Sequence, residues 1–307
     1  DLNAKLLGVF PPAESESNNI FDEIELISSN PDPQTLVQRL EEDFNYLINY
    51  LLKKSPSLQS VYRYLSYRID IIQCNICTHN CSSFSAIQIL ERIVRYRIIS
   101  IHIMNEASGF EVQKEFGKLQ FTLNFLVGLY NFYRDRYKIF SPLTENESEM
   151  WSYYIVANMF SLNEESTQSI GPKMLKTDAI QRALEIFRIA DSVLFCSRTS
   201  KSVDVPLLER TVIKFFAQVS NFKTPFLLAC VAEYYFDVIR CLTLRALYTP
   251  TFSTCKKEYS IFKLSFMLGF QNIQECKLYF SLLNSNAACS SVELQVKNNE
   301  KSNSESK

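Results

Sequence analysis

The residues best suited to hold a metal ion lie in one short stretch of the chain. Cys74, Cys77, His79 and Cys81 offer three thiols and one imidazole, which are the ligands that tetrahedral zinc prefers. Structural zinc sites usually take their second pair of ligands from a distant part of the chain, so free thiols in a turn at a helix end are the alternative. We expect the free thiols, with no metal site and no cofactor.

The chain is poor in the side chains that nucleophilic or metal-assisted catalysis uses. It has two His residues, and it lacks a Gly-rich phosphate loop, a G-x-S-x-G nucleophile motif and an H-E-x-x-H zinc motif. Neighbouring carboxylates, such as Glu41 with Glu42 and Glu164 with Glu165, are typical of solvated helix or loop surfaces. We therefore predict that the protein is not an enzyme, and we assign no catalytic residue.

Net charge and cysteine usage limit the environment in which the chain works. With 32 basic and 33 acidic residues, bulk electrostatics favour neither nucleic acid nor an anionic membrane, and such binding would need a local patch. Nine Cys, no signal-peptide pattern in residues 1–12 and no apolar run of about 18 residues predict a reducing compartment and no membrane insertion. The start at Asp1 without a Met is compatible with a fragment or a trimmed product.

One long segment, Ser85–Met104, is predicted to form the central helix of the fold. A β-strand is the competing interpretation, because Ile99, Ile101 and Ile103 alternate with polar residues. The length of the run and the absence of Gly and Pro from Ser82–Ser108 favour the helix. The predicted polar stripe of this helix contains Gln88, Glu91, Arg92, Arg95 and His102, and the predicted buried set contains Ile87, Leu90, Ile93, Val94, Ile98, Ile101 and Met104.

Arg97 lies about 180° from the polar stripe and is therefore expected to point into the core. An unpaired buried guanidinium is costly, so we predict a carboxylate partner, with Asp70 as the first choice. The predicted role is a buried ion pair that fixes the order of the helices, and ligand binding is the alternative. His102 is expected to be partly buried and satisfied by a neighbouring group rather than catalytic.

Apolar residues recur at helical spacing through most of the remaining chain, which has only six Gly and ten Pro. This pattern predicts an all-α fold in which helix pairs form a right-handed, solenoid-like stack. Single helices are predicted over 173–195 and from Thr224 to Leu247. The predicted helix starts are a cap at Asp32, a capping box from Thr144 to Glu147, and caps at Asp204 and Thr224.

The two ends of the chain differ from its centre. Residues 1–31 contain the short amphipathic piece NIFDEIELI and are predicted to be a flexible arm or a docking peptide. Residues 32–250 are predicted to be the helical-repeat domain. Residues 251–296, with two short helices and then alternating Val292, Leu294 and Val296, predict a winged helix. Residues 297–307 lack apolar groups and are predicted to be a disordered tail.

Aromatic and basic residues are concentrated in the predicted winged helix. The aromatic residues have helical spacing and are expected to lie mostly in the core rather than to stack on bases; they are Phe262, Phe266, Phe270, Tyr279 and Phe280. Four lysines bracket the unit and either form a basic edge for nucleic acid or are ordinary solvated side chains; they are Lys256, Lys257, Lys263 and Lys277.

Four ordered motifs, spread over about residues 60–296, resemble those of the GANP / suppressor-of-actin-three family. ERIVRYRIISIHIM is similar to E-R-x-x-R-[FY]-H-I-x-x-x-H-x-M, with Arg97 in place of the first His. Arg63 to Gln73 is similar to R-x-R-x2-R-x-D-x2-Q, with Leu65 in place of the middle Arg. Two further stretches, 147–153 and 215–247, resemble E-A-E-F-x-x-Y and F-F…I-R…L-R-A-L. The motif residues expected to be structural are Arg63, Arg68, Asp70, Arg95, Arg97, His102, Glu147, Glu149, Arg240 and Arg245.

The resemblance implies a function as well as a fold. It implies a PCI-like helical stack that serves as a non-catalytic scaffold of the transcription-coupled mRNA export complex, located in the nucleus at the envelope and pore. The implied partners are a second PCI-domain subunit docked through the winged helix, a small acidic Sem/Dss-type subunit and RNA. The alternatives are a cytoplasmic or centrosomal adaptor of the same family, associated with the spindle, and a subunit of a proteasome-lid-like PCI complex.

Overall fold

The computed structural model describes residues 32–137, 144–162, 170–198, 204–248 and 259–285. These residues form twelve α-helices and one π-helical segment and contain no β-strand, which confirms the all-α prediction. The handedness of the stack and the winged helix stay predictions. The arm at 1–31, the strand at 292–296 and the tail at 297–307 lie outside the described residues.

The chain divides into two compact units, Asp1–Lys138 and Ile139–Lys307. The boundary between them falls inside the helical domain predicted for residues 32–250. The predicted limits of that domain and of the 251–296 subdomain stay predictions. None of the helices in the described ranges has both the length and the apolar character needed to span a bilayer.

The first unit contains four α-helices. Helix α1 begins where the Asp32 carboxylate accepts a hydrogen bond from the Thr35 amide at 3.2 Å, which confirms the predicted cap. The helices are α1 (Pro33–Tyr46), which continues into the π-helical segment Leu47–Leu52, then α2 (Leu58–Thr78), α3 (Phe84–Met104) and α4 (Val112–Tyr137). Helix α3 contacts α1, α2 and α4, so the predicted central helix is confirmed and the strand interpretation is wrong.

The exposed stripe of α3 differs from the prediction in three residues. Glu91 was predicted to be exposed but is buried, with 1% of its surface exposed. Its carboxylate there accepts a hydrogen bond from the Tyr130 hydroxyl of α4 at 2.7 Å. Ile99 and Ile103 are 39% and 58% exposed, although both are apolar. The outer face of the central helix is therefore partly apolar.

The second unit is organised around α7, which contacts α5, α6, α8 and α10. The predicted cap at Asp204 is confirmed for the helix Val205–Val219, since that carboxylate accepts a hydrogen bond from the Leu207 amide at 3.2 Å. The helices are α5 (Glu147–Ala157), α6 (Pro172–Leu175), α7 (Asp178–Arg198), α8 (Val205–Val219), α9 (Phe226–Glu233), α10 (Phe236–Tyr248), α11 (Ile261–Met267) and α12 (Ile273–Ser285).

Tertiary contacts override several predicted helix limits in the second unit. The helix predicted to begin at Thr224 divides into α9 and α10, and the Tyr235 hydroxyl beside the break donates to the carbonyl of Ala157. Thr224 is not a cap, because its buried hydroxyl donates to the Gln218 carbonyl at 2.7 Å. The helix predicted over 173–195 is divided into α6 and α7. The predicted capping box is wrong as well, because α5 begins only at Glu147.

The turn between α11 and α12 depends on a glycine. Gly269 has a φ of +65°, and a Cβ there would overlap the ring of Phe216 on α8. Both the backbone conformation and the close approach of the ring therefore exclude larger residues at this position.

We expect Gly269→Ala to lower the free energy of unfolding by about 3 kcal/mol, through overlap with Phe216 and an unfavourable backbone conformation. The measurement is urea denaturation of the full chain. The matched control is Gly117→Ala, because Gly117 lies in α4 with no neighbouring atom within 4 Å of the added Cβ. The control should raise the free energy of unfolding by up to about 1 kcal/mol. Similar effects of both substitutions would contradict the assigned role of Gly269.

Candidate functional site

A buried polar network joins α2, α3 and α4 around the guanidinium of Arg97. Its Nη2 donates to Asp70 Oδ1 and to Gln73 Oε1, both at 2.8 Å. Its Nη1 lies 3.7 Å from Glu115 Oε2, and the Arg97 side chain is 3% exposed. The predicted pairing of Arg97 with Asp70 is confirmed. Its functional role stays a prediction.

A second cation shares the same carboxylates. Lys118 Nζ on α4 lies 2.8 Å from Asp70 Oδ2 and 2.8 Å from Glu115 Oε1. The fully buried Thr122 hydroxyl lies 2.7 Å from the Lys118 carbonyl oxygen and 3.0 Å from Gln73 Oε1, and it can donate its one proton to either acceptor. Two cations thus balance two carboxylates, and both carboxylates are engaged. This arrangement suits fixing three helices in register rather than transferring protons.

Polar atoms beside the network have fewer hydrogen bonds. In the described part of the chain, Arg97 Nε and Nη1 and the hydroxyls of Tyr96 and Ser100 are buried and make no hydrogen bond. Burial raises the pKa of Tyr96 to about 12, with smaller contributions from nearby charges. Burial, reinforced by the negative charge of Glu115, raises the pKa of Tyr62 as well. These phenols therefore stay protonated at neutral pH.

The other motif residues of the first unit lie away from the network. Arg63 is exposed on α2 beside Gly109, and Arg68 on the same helix is half-buried. Arg95 on α3 is half-buried, and it lines a surface groove rather than the network. His102 is exposed, so the expectation of a partly buried histidine is wrong. It lies near the end of α3, where the last turn reaches the surface.

The cysteine-rich stretch does not have the geometry of a metal site. Helix α2 runs to Thr78, so Cys74 and Cys77 lie in its last turns rather than in the predicted turn. Together with His79 and Cys81, their ligand atoms do not converge within the distance that a shared ion needs. Burial, reinforced by the neighbouring thiols of Cys74 and Cys81, raises the pKa of the Cys77 thiol to about 12. This thiol is therefore protonated at neutral pH.

The motif carboxylates of the second unit are used inside α5. Glu147 is fully buried and accepts a hydrogen bond from Trp151 Nε1 at 3.4 Å. Glu149 accepts a hydrogen bond from the Tyr153 hydroxyl at 2.7 Å. Each pair is one helical turn apart, so this motif stabilises the helix that packs on α7.

Arg240 connects α10 to the C-terminal helix pair, α11 and α12. Its Nε donates to the Leu268 carbonyl at 3.1 Å, and its Nη2 lies 3.5 Å from the Gly269 carbonyl oxygen. The guanidinium lies 3.9 Å from the Phe270 ring centre and 5.7 Å from that of Phe216. This buried cation therefore satisfies the orphan carbonyls at the end of α11. Arg245, five residues further along α10, is exposed.

The C-terminal helix pair carries an exposed apolar face. Phe262 and Phe266 are 69% and 71% exposed and lie one turn apart on α11. The expectation that they lie mostly in the core is wrong for these two, because Leu264, Met267 and Leu268 fill the buried side of that helix instead. The expectation holds for Phe270 and Phe280, which are buried, while Tyr279 is half-buried. Helix α12 adds two exposed apolar residues, Leu278 and Leu282.

Two of the four candidate nucleic-acid lysines are described. Lys263 Nζ lies 2.8 Å from Glu209 Oε2 on α8, so an acidic partner already neutralises it. Lys277 is exposed on α12. Lys256 and Lys257 lie outside the described residues.

Removing the shared carboxylate of the Arg97 network should destabilise the protein. We expect Asp70→Asn to lower the free energy of unfolding by about 3 kcal/mol, because Arg97 and Lys118 then share only the Glu115 carboxylate and the network is left with one buried negative charge too few. The measurement is urea denaturation in low and high salt, and the loss should persist at high salt because Arg97 is buried.

The matched control for this substitution is Glu111→Gln. The Glu111 carboxylate lies 4.0 Å from Lys114 Nζ, and both side chains are exposed. This change should alter the free energy of unfolding by less than about 0.5 kcal/mol. An equal effect of the two substitutions would mean that the buried network contributes no more than a surface pair.

Comparison with known proteins confirms the family resemblance. The model of the SAC3/GANP family matches residues 28–287. SAC3 family protein 1 from Schizosaccharomyces pombe (strain 972 / ATCC 24843) is 25% identical over 245 residues, which is 77% of this chain and 23% of the relative. The chain thus spans about a quarter of the length of that curated relative. Because the family match covers most of its residues, the chain belongs to the SAC3/GANP family.

Proposed function

We propose that the chain is a non-catalytic scaffold subunit of a nuclear mRNA export complex. It docks a second PCI-domain subunit through its C-terminal helix pair and holds a small acidic Sem/Dss-type subunit. Membership of the SAC3/GANP family supports the assignment to export. The main observation that supports this docking surface is the exposed pair of phenylalanines, Phe262 and Phe266, on α11.

Exposed phenylalanines are the physical reason for assigning an interface to α11. Phe262 and Phe266 each leave more than two thirds of their surface in water, and an apolar face of this kind typically marks a protein interface. Aromatic side chains provide much of the binding energy at interfaces, because they bury a large area with few rotatable bonds. Lys263 lies between them in sequence, and its ion pair with Glu209 gives the apolar pair a polar edge.

The helix pair is held firmly enough to act as a docking platform. Arg240 binds the carbonyls at the end of α11, and Gly269 lets the turn lie against Phe216. A preformed surface loses less conformational entropy on binding than one that must be ordered first. The anchoring therefore favours a stable complex over a transient contact.

A groove beside α7 and α8 offers a site for the small acidic subunit. Its volume is about 630 Å³, and its lining includes Arg182, Arg188 and Lys214 together with Asp178 and Glu185. Glu185 is engaged by Lys214 at 3.9 Å and by Gln218 at 2.8 Å. Three cations against two carboxylates leave this lining with a small positive excess, which supports binding of an acidic segment.

The docking surface can be tested by co-purification from cells. We expect Phe262→Asp with Phe266→Asp to reduce recovery of the second PCI subunit at least about tenfold, because two apolar anchors become charged. The matched control is Phe222→Asp, which changes a phenylalanine that is 91% exposed on the turn between α8 and α9. The control should leave recovery unchanged.

Other results of the co-purification would contradict the proposal. Equal recovery with the double variant would remove the docking role from α11. Recovery of proteasome-lid subunits or spindle-pole proteins, with no export subunit, would remove the assignment to mRNA export.

Contact with RNA is a separate part of the proposal, and Lys277 is the described lysine that suits it. We expect Lys277→Glu to weaken RNA binding by the assembled complex and to reduce the slope of log affinity against log salt by about 0.7, as for one lost phosphate contact on a single strand. The measurement is fluorescence anisotropy across a salt series. The matched control is Lys173→Glu, an exposed lysine on α6, which should leave the slope unchanged. An unchanged slope with Lys277→Glu would place RNA contact elsewhere.

A further inference from the structure

The first unit has an apolar groove between α1 and α3, here called the α1–α3 groove. Its volume is about 360 Å³. The wall from α1 and its π-helical extension includes Phe44, Ile48 and Leu52, and the opposite wall on α3 includes Ile99 and Ile103. Ile99 and Ile103 are exposed apolar residues of α3. The groove therefore leaves apolar surface in water on the central helix of its unit.

The charged and polar residues of the groove point to an acidic occupant. Arg92 and Arg95 border it, and none of its lining residues is acidic. Arg92 is fixed in place by a 2.8 Å hydrogen bond to Asn45 and by the Phe44 ring, 4.7 Å from its guanidinium.

We propose that the α1–α3 groove binds residues 20–27 of the same chain, the sequence IFDEIELI. This segment has apolar residues at positions 20, 24 and 27, which would share one side at helical spacing. It also carries three carboxylates, at Asp22, Glu23 and Glu25, and no cation. Its composition therefore complements a groove that is apolar at its centre and basic at its border.

The connection between segment and groove is long enough. Five residues, 28–32, join the segment to the start of α1, and when extended they span about 17 Å. Phe44 lies eleven residues along α1 from Pro33, which is about 16 Å at the helical rise. A segment that turns back along α1 therefore reaches the groove.

Covalent attachment favours this segment over a separate molecule. A short linker gives a tethered segment an effective concentration in the millimolar range, so a modest intrinsic affinity is enough to fill the groove. A second copy of the chain or another protein has to bind at its much lower cellular concentration. The bound segment would cover Ile99 and Ile103 until a competing acidic, apolar segment displaced it.

Hydrogen exchange of the full chain tests the proposal. Amides of residues 20–27 should exchange at least about tenfold more slowly than an unstructured peptide of the same sequence. Ile103→Glu should abolish this protection, because it places a carboxylate in the groove opposite the acidic segment. The matched control, Phe132→Glu, changes a residue on α4 that is 45% exposed, and it should leave the protection intact. Higher salt should reduce the protection in the unmodified chain.

A charge exchange separates docking from a general folding defect. Arg95→Glu should reduce the protection at least tenfold, because one of the two cations at the groove becomes an anion. Arg92→Glu together with Arg95→Glu should remove it, and adding Asp22→Lys, Glu23→Lys and Glu25→Lys should restore it, because the groove is then acidic and the segment basic. Exchange at the unstructured rate in the unmodified chain would overturn the proposal. Protection that survives both Ile103→Glu and Arg95→Glu would overturn it too. A chain that is dimeric, with protection lost on dilution, would assign the groove to a second copy instead.

Discussion

The burial of one guanidinium is the constraint on which the first unit depends. Arg97 is removed from water on α3 and must therefore find its partners on the helices packed around it. Asp70 and Gln73 come from α2, and Glu115 comes from α4. Hydrogen bonds and ion pairs of this kind need specific directions and distances. The network is therefore compatible with one register of the three helices. Apolar contacts alone would allow the helices to rotate and slide against one another more easily than this polar network does.

Arg240 meets the same requirement in the second unit with different partners. Its guanidinium lies against the rings of Phe270 and Phe216, and its donors meet the carbonyls of Leu268 and Gly269. Here the backbone and aromatic rings supplement one exposed carboxylate, Asp237, which lies 3.2 Å from Arg240 Nη1. Both arginines lie in stretches that resemble motifs of the SAC3/GANP family, although Arg97 occupies the position of the first His of its motif. In this chain both arginines thus contact groups on neighbouring helices or at the end of a neighbouring helix.

Sequence periodicity predicted the central helix and the inward direction of Arg97, because a charged residue opposite a polar stripe has to be buried. The same reasoning gave Asp70, since a buried cation needs a carboxylate from a neighbouring helix. Periodicity could not decide which apolar face of α11 is buried, because that helix has Phe262 and Phe266 on one side and Leu264 and Met267 on the other. The break at Tyr235 was hidden for another reason, because no Gly or Pro marks it in the sequence, and the contact of the Tyr235 hydroxyl with Ala157 is tertiary.

The buried arginines also determine which apolar residues stay in water. A helix held by a directional contact cannot rotate to bury another face, and each residue along it changes direction by about 100°. With Arg97 held at its partners, Ile99 and Ile103 must lie on the outer side of α3. In the second unit, Arg240 holds the end of α11, and Phe262 and Phe266 lie on its exposed side. Exposed apolar surface costs free energy in an isolated chain, so a fold that enforces such exposure is better suited to covering it with another segment or subunit.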